Sequence, residues 1–276
     1  MNQITICKNC GLSFTGKFCN HCGQKNYTQE DKKFTHFAHE IIHFLTHFDG
    51  SFLKTVKTVV TKPGKLSSDY CSGKRKTYYK PISFFLLLVV LYILFPVARG
   101  LNPEMEVYQT NKLAGEFIKK QIDHKISSKN ISREQLSEKF YHLSTKSSKI
   151  LLLLLIPFSA VLLYILFFKE KRYAFDLYII STEFNSMIML LFCFLLPVLA
   201  ILVELAHPLF RHEVDEILGP VIICIILGYA VAMFRRFFKE KWTWILLKSV
   251  VFCAIYIYLI LPLYHMITFE LTFAFV

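Results

Sequence analysis

Gly73-Lys74-Arg75-Lys76-Thr77-Tyr78-Tyr79-Lys80-Pro81 runs directly into Ile82-Ser83-Phe84-Phe85-Leu86-Leu87-Leu88-Val89-Val90, and this junction decides the architecture. A basic, aromatic cluster gives way at a proline to seventeen uncharged residues, 82–98. Lys and Arg collect on the cytoplasmic side of membrane helices, and Tyr favours the headgroup layer. Proline suits the first helical turn, where its missing N–H leaves nothing unsatisfied. Pro81 therefore reads as the point of entry into a bilayer, with the preceding chain in or on the cytoplasmic side.

The rest of the sequence agrees. It has 276 residues, 54% of them hydrophobic, with a mean hydropathy of +0.43. The apolar residues gather in uncharged runs of membrane-spanning length, so the chain reads as an all-α polytopic membrane protein. The expected spans are 81–98, 150–168, 183–206, 217–234 and 243–266. Residues 1–80 carry 13 basic and 5 acidic residues, the remainder 19 and 15. Because the positive excess peaks at the first span, it argues for anionic lipid headgroups near Lys74, Arg75, Lys76 and Lys80, and against nucleic acid. The short basic loops at 169–172 and 235–241 fall inside, and the acidic one at 213–216 outside, which is consistent with a multi-pass membrane protein whose N-terminus is cytoplasmic. The polar start lacks the pattern of a secretory signal.

Cys7-Lys8-Asn9-Cys10-Gly11 and Cys19-Asn20-His21-Cys22-Gly23 are two C-x2-C-G knuckles. Such a pair places four thiolates around one ion, with glycine admitting the positive φ after each knuckle. Cys7, Cys10, Cys19 and Cys22 are thus the predicted ligands of one structural zinc ion in a ribbon over 1–26, iron being the alternative. With all four positions filled by protein, the site has no open coordination for catalysis.

Residues 34–80 form an amphipathic collar. Over 34–48, His36, His39, His43 and His47 share a narrow arc opposite Phe34, Phe37, Ile41, Phe44, Leu45 and Phe48. Within it His39-Glu40-Ile41-Ile42-His43 matches H-E-x-x-H, in which two imidazoles hold a metal and the Glu is a general base. Four histidines in twelve residues make a chance match easy, and His47 lies about 12 Å from His39 along a helix, too far to complete the site. The main expectation is an interfacial helix; a second metal or proton-sensing site and a metallopeptidase are the alternatives. Residues 51–62 repeat the pattern, with Phe52, Leu53, Val56, Val59 and Val60 on one face, and Pro63-Gly64 ends that helix.

Residues 81–276 form the membrane domain, with an extracytoplasmic helical insert over 99–149. Its second helix is announced by Ser132-Arg133-Glu134-Gln135, a capping-box signature. The ionisable residues of the spans, Glu183, Glu204, Lys248 and His265, are expected near helix ends, which argues against an ion-coupled transporter.

The cysteine knuckles, Gly16-Lys17-Phe18, Gly23-Gln24-Lys25, the His-rich helix, Pro63-Gly64, Asp69-Tyr70-x2-Gly73-Lys74-Arg75 and Tyr79-Lys80-Pro81 together resemble the DUF3667 family of uncharacterised bacterial membrane proteins. Phe175-Asp176-Leu177-Tyr178 resembles that family's second block. The resemblance implies a zinc ribbon fused to a multi-pass domain and supplies no reaction. The expected function is a non-enzymatic scaffold whose ribbon docks a protein partner, with a metallopeptidase or a lipid or small-molecule transporter as alternatives.

Overall fold

The computed structural model describes residues 4–26, 50–94, 105–109, 115–129, 131–170, 172–198 and 211–276. A two-stranded antiparallel hairpin, β1 (Ile4–Ile6) and β2 (Ser13–Thr15), opens the chain, with Thr5 opposite Phe14. Among the described residues every other regular element is helical, apart from an isolated bridge between Phe18 and Lys25. The collar supplies α1 (Gly50–Thr61) and α2 (Lys65–Cys71), and α3 (Pro81–Leu94) follows the basic loop. The insert contributes α4 (Met105–Tyr108), α5 (Gly115–Lys129) and α6 (Arg133–Leu151). Then come α7 (Leu155–Leu166), α8 (Ala174–Leu190), α9 (Arg211–Phe237), α10 (Trp242–Ile255) and α11 (Leu261–Ala274).

Three helical stretches are long and apolar enough to cross a membrane: Ala174–Val198, Gly219–Phe237 and Trp242–Ala274. Pro81–Tyr92 and Leu152–Leu166 are apolar but shorter. All five expected spans thus contain apolar helix, and three reach spanning length among the described residues. Helix α8 is the hub, 72% buried along its spanning window against 33% for each of the other two. Helices α3 and α7 pack along it, and Phe84, Phe85, Ile156, Leu163, Ile180 and Phe184 fill the seam.

The structure moves two boundaries. Helix α8 begins at Ala174, nine residues before the expected start of the third span at Glu183. Tyr173 is extended (φ −65, ψ 143), and its carbonyl accepts from Asp176 and Leu177, which starts the helix there. Asp176 in the first turn complements the positive end of the helix dipole. Glu183 therefore sits in the third turn, fully buried, rather than at a helix end.

The second change concerns the insert. Trp242–Ala274 runs 33 residues, broken only by a π-turn at Tyr256–Ile260. That is about 50 Å of helix, against a hydrocarbon core of about 30 Å. Its far end enters the insert, where Phe269 and Phe273 join Met105, Tyr108, Ile118, Ile122, Leu136 and Phe140 in a second core. Helix α6 likewise continues through a 3-10 turn, Leu152–Leu154, into α7. The expected helical hairpin becomes a packed unit on two helical stems, completed by the last residues of the chain. A hairpin alone leaves an apolar face uncovered, and α11 covers it.

Candidate functional site

The two knuckles fold alike. The carbonyl of Cys7 accepts the N–H of Gly11 at 2.8 Å, and that of Cys19 accepts Gly23 at the same distance. The N–H of Cys7 donates to Leu12, and that of Cys19 to Gln24. Gly11 and Gly23 adopt φ of 80° and 70°, conformations that side chains disfavour. The four Sγ atoms lie within 4.8 Å of one another, with Cys7–Cys22 at 3.5 Å and Cys10–Cys19 at 3.6 Å. A tetrahedral zinc site with Zn–S bonds near 2.3 Å requires sulfur separations of about 3.8 Å. The cluster fits such an ion. Against the effect of burial, the N–H groups of Cys10 and Asn9 and the neighbouring thiols draw Cys7 down to about 6. Against the Leu12 N–H, burial and the other three cysteines push Cys10 up to about 12. Four thiolates this close repel one another, and a cation relieves that repulsion.

Gln24 follows the second knuckle and fastens the ribbon to the basic loop. Its Nε2 donates to the Gly73 carbonyl at 2.5 Å, and its Oε1 accepts from the N–H of Arg75 at 3.1 Å and of Lys76 at 3.3 Å. One buried amide thus satisfies three backbone groups. Thr77 donates through its hydroxyl to Asn9 Oδ1, between the first pair of cysteines. Gly73 has φ of 100°, and a Cβ there would come within 2.7 Å of the Lys8 side chain.

The loop is held from its other side as well. Asp69 pairs with Lys65 at 3.1 Å and Lys74 at 3.6 Å and accepts from the Tyr78 hydroxyl at 2.7 Å. Burial works against ionisation, but the Tyr78 hydroxyl and the two lysines hold this carboxyl below its ordinary range. The Arg75 guanidinium, 9% exposed, lies over the rings of Tyr70 and Phe175 at 4.9 and 5.4 Å. The Asp69-Tyr70…Arg75 stretch and the Phe175-Asp176-Leu177-Tyr178 stretch, a hundred residues apart, therefore meet here. Arg75 is turned inward, away from the headgroup role expected of it with its neighbours.

Beneath the loop lies a feature the sequence concealed. Pro63-Gly64 forms an elbow driven into the bundle. The Glu183 carboxylate accepts the N–H of Gly64 at 2.8 Å and of Ser67 at 2.7 Å, together with the Ser67 hydroxyl. Tyr229 of α9 approaches the same carboxylate at 3.4 Å. Gly64 has φ of 75° and no side chain with which to cap α2, so a glutamate 119 residues away fills that role. Arg236 donates to the Pro63 carbonyl. A Cβ on Gly64 would lie 2.8 Å from the Met233 carbonyl oxygen, so only glycine fits. Val59 and Leu66 on either side of the elbow are completely buried. Helices α1 and α2 therefore pack on the bundle, and of the apolar face expected on α1 only Leu53 and Val60 remain well exposed.

Two residues further along α8, a second polar group fills the bundle. Asn185 donates to Ser159 at 2.8 Å and accepts from the Tyr256 hydroxyl at 2.8 Å, while Ser159 and Ser181 meet at 2.5 Å. All four are buried and satisfied by one another, as interhelical polar contacts in membranes are. Lys248 reaches back to Glu240 at 2.6 Å. The His36, His39, Glu40, His43 and His47 row lies outside the described residues. Sequence reasoning set Glu183 at a helix end and missed Ser67 and Tyr229; the one available signal was a carboxylate inside the polar run Ser181-Thr182-Glu183-Phe184-Asn185-Ser186 of an otherwise apolar segment.

No curated protein and no solved structure matches the chain. The family match instead falls on the elbow, the basic loop and the first apolar helix: residues 49–93 match DUF3667, a family described as proteins of unknown function.

Proposed function

We propose that this is a multi-pass protein of a bacterial inner membrane whose cytoplasmic ribbon binds one structural zinc ion through Cys7, Cys10, Cys19 and Cys22 and serves as a docking or regulatory module, without catalysis of its own. The observation carrying this reading is the Gln24 clasp. It ties the metal knuckle to the loop at the foot of the first apolar helix, so the ribbon is held in one orientation from which to present a surface to a protein partner. Lys74, Lys76 and Lys80 are the residues left to meet anionic headgroups. The purified full chain is expected to contain one zinc, and Cys19→Ser with Cys22→Ser to contain none; a variant that keeps its metal overturns the ligand assignment. For topology, a membrane-impermeant thiol reagent is expected to reach cysteines introduced near residues 120 and 212 in intact spheroplasts, but not near 171 or 238. Labelling at 171 without lysis reverses the orientation.

One observation sustains the lipid or small-molecule transporter as a second reading. Glu183 is an ionisable group inside a spanning helix, where such residues mark pathways by default. Its donors are all supplied by the protein itself, which favours the anchoring role.

A further inference from the structure

The ribbon exposes four large apolar side chains. Within 23 described residues, Ile4 is 76% exposed, Ile6 69%, Phe18 57% and Leu12 48%. Ile4 and Ile6 share one face of β1, because strand side chains alternate. Leu12 holds in the first knuckle the place that Gln24 holds in the second, each accepting the N–H of the leading cysteine. One knuckle thus presents a docked amide and its twin an exposed leucine. Residues 4–26 also contain Lys8, Lys17 and Lys25 and no acidic residue.

The position of the ribbon says what meets this surface. Gln24 hooks it to residues 73–76, a few residues before the apolar helix that begins at Pro81. Arg75 of that loop stacks on Phe175, two residues beyond the exposed Tyr173 at the start of α8. Phe168, Trp242 and Trp244 are also exposed at this end of the bundle, next to Arg172 and Arg235, which lie over Phe237 and Trp242. An exposed belt of Phe, Tyr and Trp beside arginines marks the headgroup layer. The clasp therefore holds a basic, apolar-edged ribbon at the level of the lipid surface.

We propose that the ribbon is itself a membrane-surface element, with Ile4, Ile6, Leu12 and Phe18 seated in the headgroup–acyl boundary of an anionic bilayer and its lysines among the phosphates. Apolar side chains set among cations, without acids, are what binds such a surface. The inference rests on the membrane reading of the basic end of the bundle, and the test separates the two. The full chain is reconstituted into phosphatidylcholine vesicles containing about a quarter phosphatidylglycerol, with or without chain-brominated lipid. In the wild type, quenching of Trp242 and Trp244 by bromolipid checks the membrane reading alone. An Ile6→Trp variant carrying Trp242→Phe and Trp244→Phe then reports on the ribbon, with metal content confirming its fold, and Leu12→Trp in the same background serves if the first is metal-free. Bromolipid is expected to reduce emission from the ribbon indole roughly twofold and acrylamide to quench it weakly, both depending on phosphatidylglycerol. Strong acrylamide quenching without bromolipid quenching means the edge faces water. Protection from both quenchers means that a protein segment, either residues 27–49 or another chain, covers it. Either result overturns the proposal while the belt tryptophans still report a membrane protein.

Discussion

The cysteine centre and the Glu183 centre each gather four residues around one point, and they differ in how those residues are drawn from the chain. Cys7, Cys10, Cys19 and Cys22 come from one short segment, and two identical turns bring them together. Gly64, Ser67, Glu183 and Tyr229 come from three helices, and nothing brings them together except the packing of α2, α8 and α9. The first centre is four sulfur atoms placed so that they could hold a cation. The second is complete, with backbone N–H groups and a hydroxyl already donating to its carboxyl oxygens. The difference teaches that local spacing announces a ligand site, whereas a buried carboxylate whose donors are distant in sequence stays silent until the fold is known.

Breaking the first centre is expected to have the largest effect. Cys19→Ser with Cys22→Ser removes metal binding that in small zinc modules is on the order of 10 kcal/mol. Amide exchange across residues 4–26 should rise to that of an unfolded chain, while α8 stays protected. Loss of protection in α8 would show that the two centres fold as one.

Glu183→Ala comes next. It takes the acceptor from the Gly64 and Ser67 N–H groups and from the Tyr229 hydroxyl inside the bundle, at a cost of about 3–5 kcal/mol. Thermal unfolding in detergent should show it, and Glu183→Gln, which keeps one acceptor oxygen, should recover more than half of the loss. Equal losses for the two variants would place the role in the charge, not in the hydrogen bonds.

Gly64→Ala tests the same elbow through shape. A methyl group 2.8 Å from the Met233 carbonyl, at a φ of 75°, is expected to cost about 2–3 kcal/mol, and the ribbon should keep its metal. An unchanged melting temperature would mean that the elbow is not wedged against α9.

Gln24→Ala sharpens the comparison from the boundary between the centres. It should cost about 1 kcal/mol by taking the acceptor from the Lys76 N–H and the side-chain partner from the Gly73 carbonyl and the Arg75 N–H, which stay bonded to each other. The metal content should not change, and exchange should quicken at residues 73–76. Metal loss in this variant would make the clasp part of the ribbon fold itself.

How much was legible follows from the range of each interaction. The knuckles, the glycines after them and the helical class were written into spacing and apolar runs. So was the capping box at Ser132, where the Gln135 N–H donates to Ser132 Oγ at 3.2 Å and the Ser132 N–H to Gln135 Oε1 at 3.2 Å. The start of the third span was misplaced because Asp176 and Glu183 read as the polar edge of a membrane segment. In the structure one sits in the first turn of α8 and the other, inside it, caps the start of α2, so neither breaks it.

The sequence by itself determined an apolar helical bundle with a basic end and a four-thiol centre, because hydropathy, charge and ligand spacing act over a few turns of chain. Only the tertiary structure decided that α8 is the hub, that Pro63-Gly64 is driven in against Glu183, and that the end of α11 completes the insert. Those outcomes depend on which faces meet. A buried carboxylate is tolerable only where donors from other helices converge on it, and the residues flanking it in the chain cannot say where those donors lie.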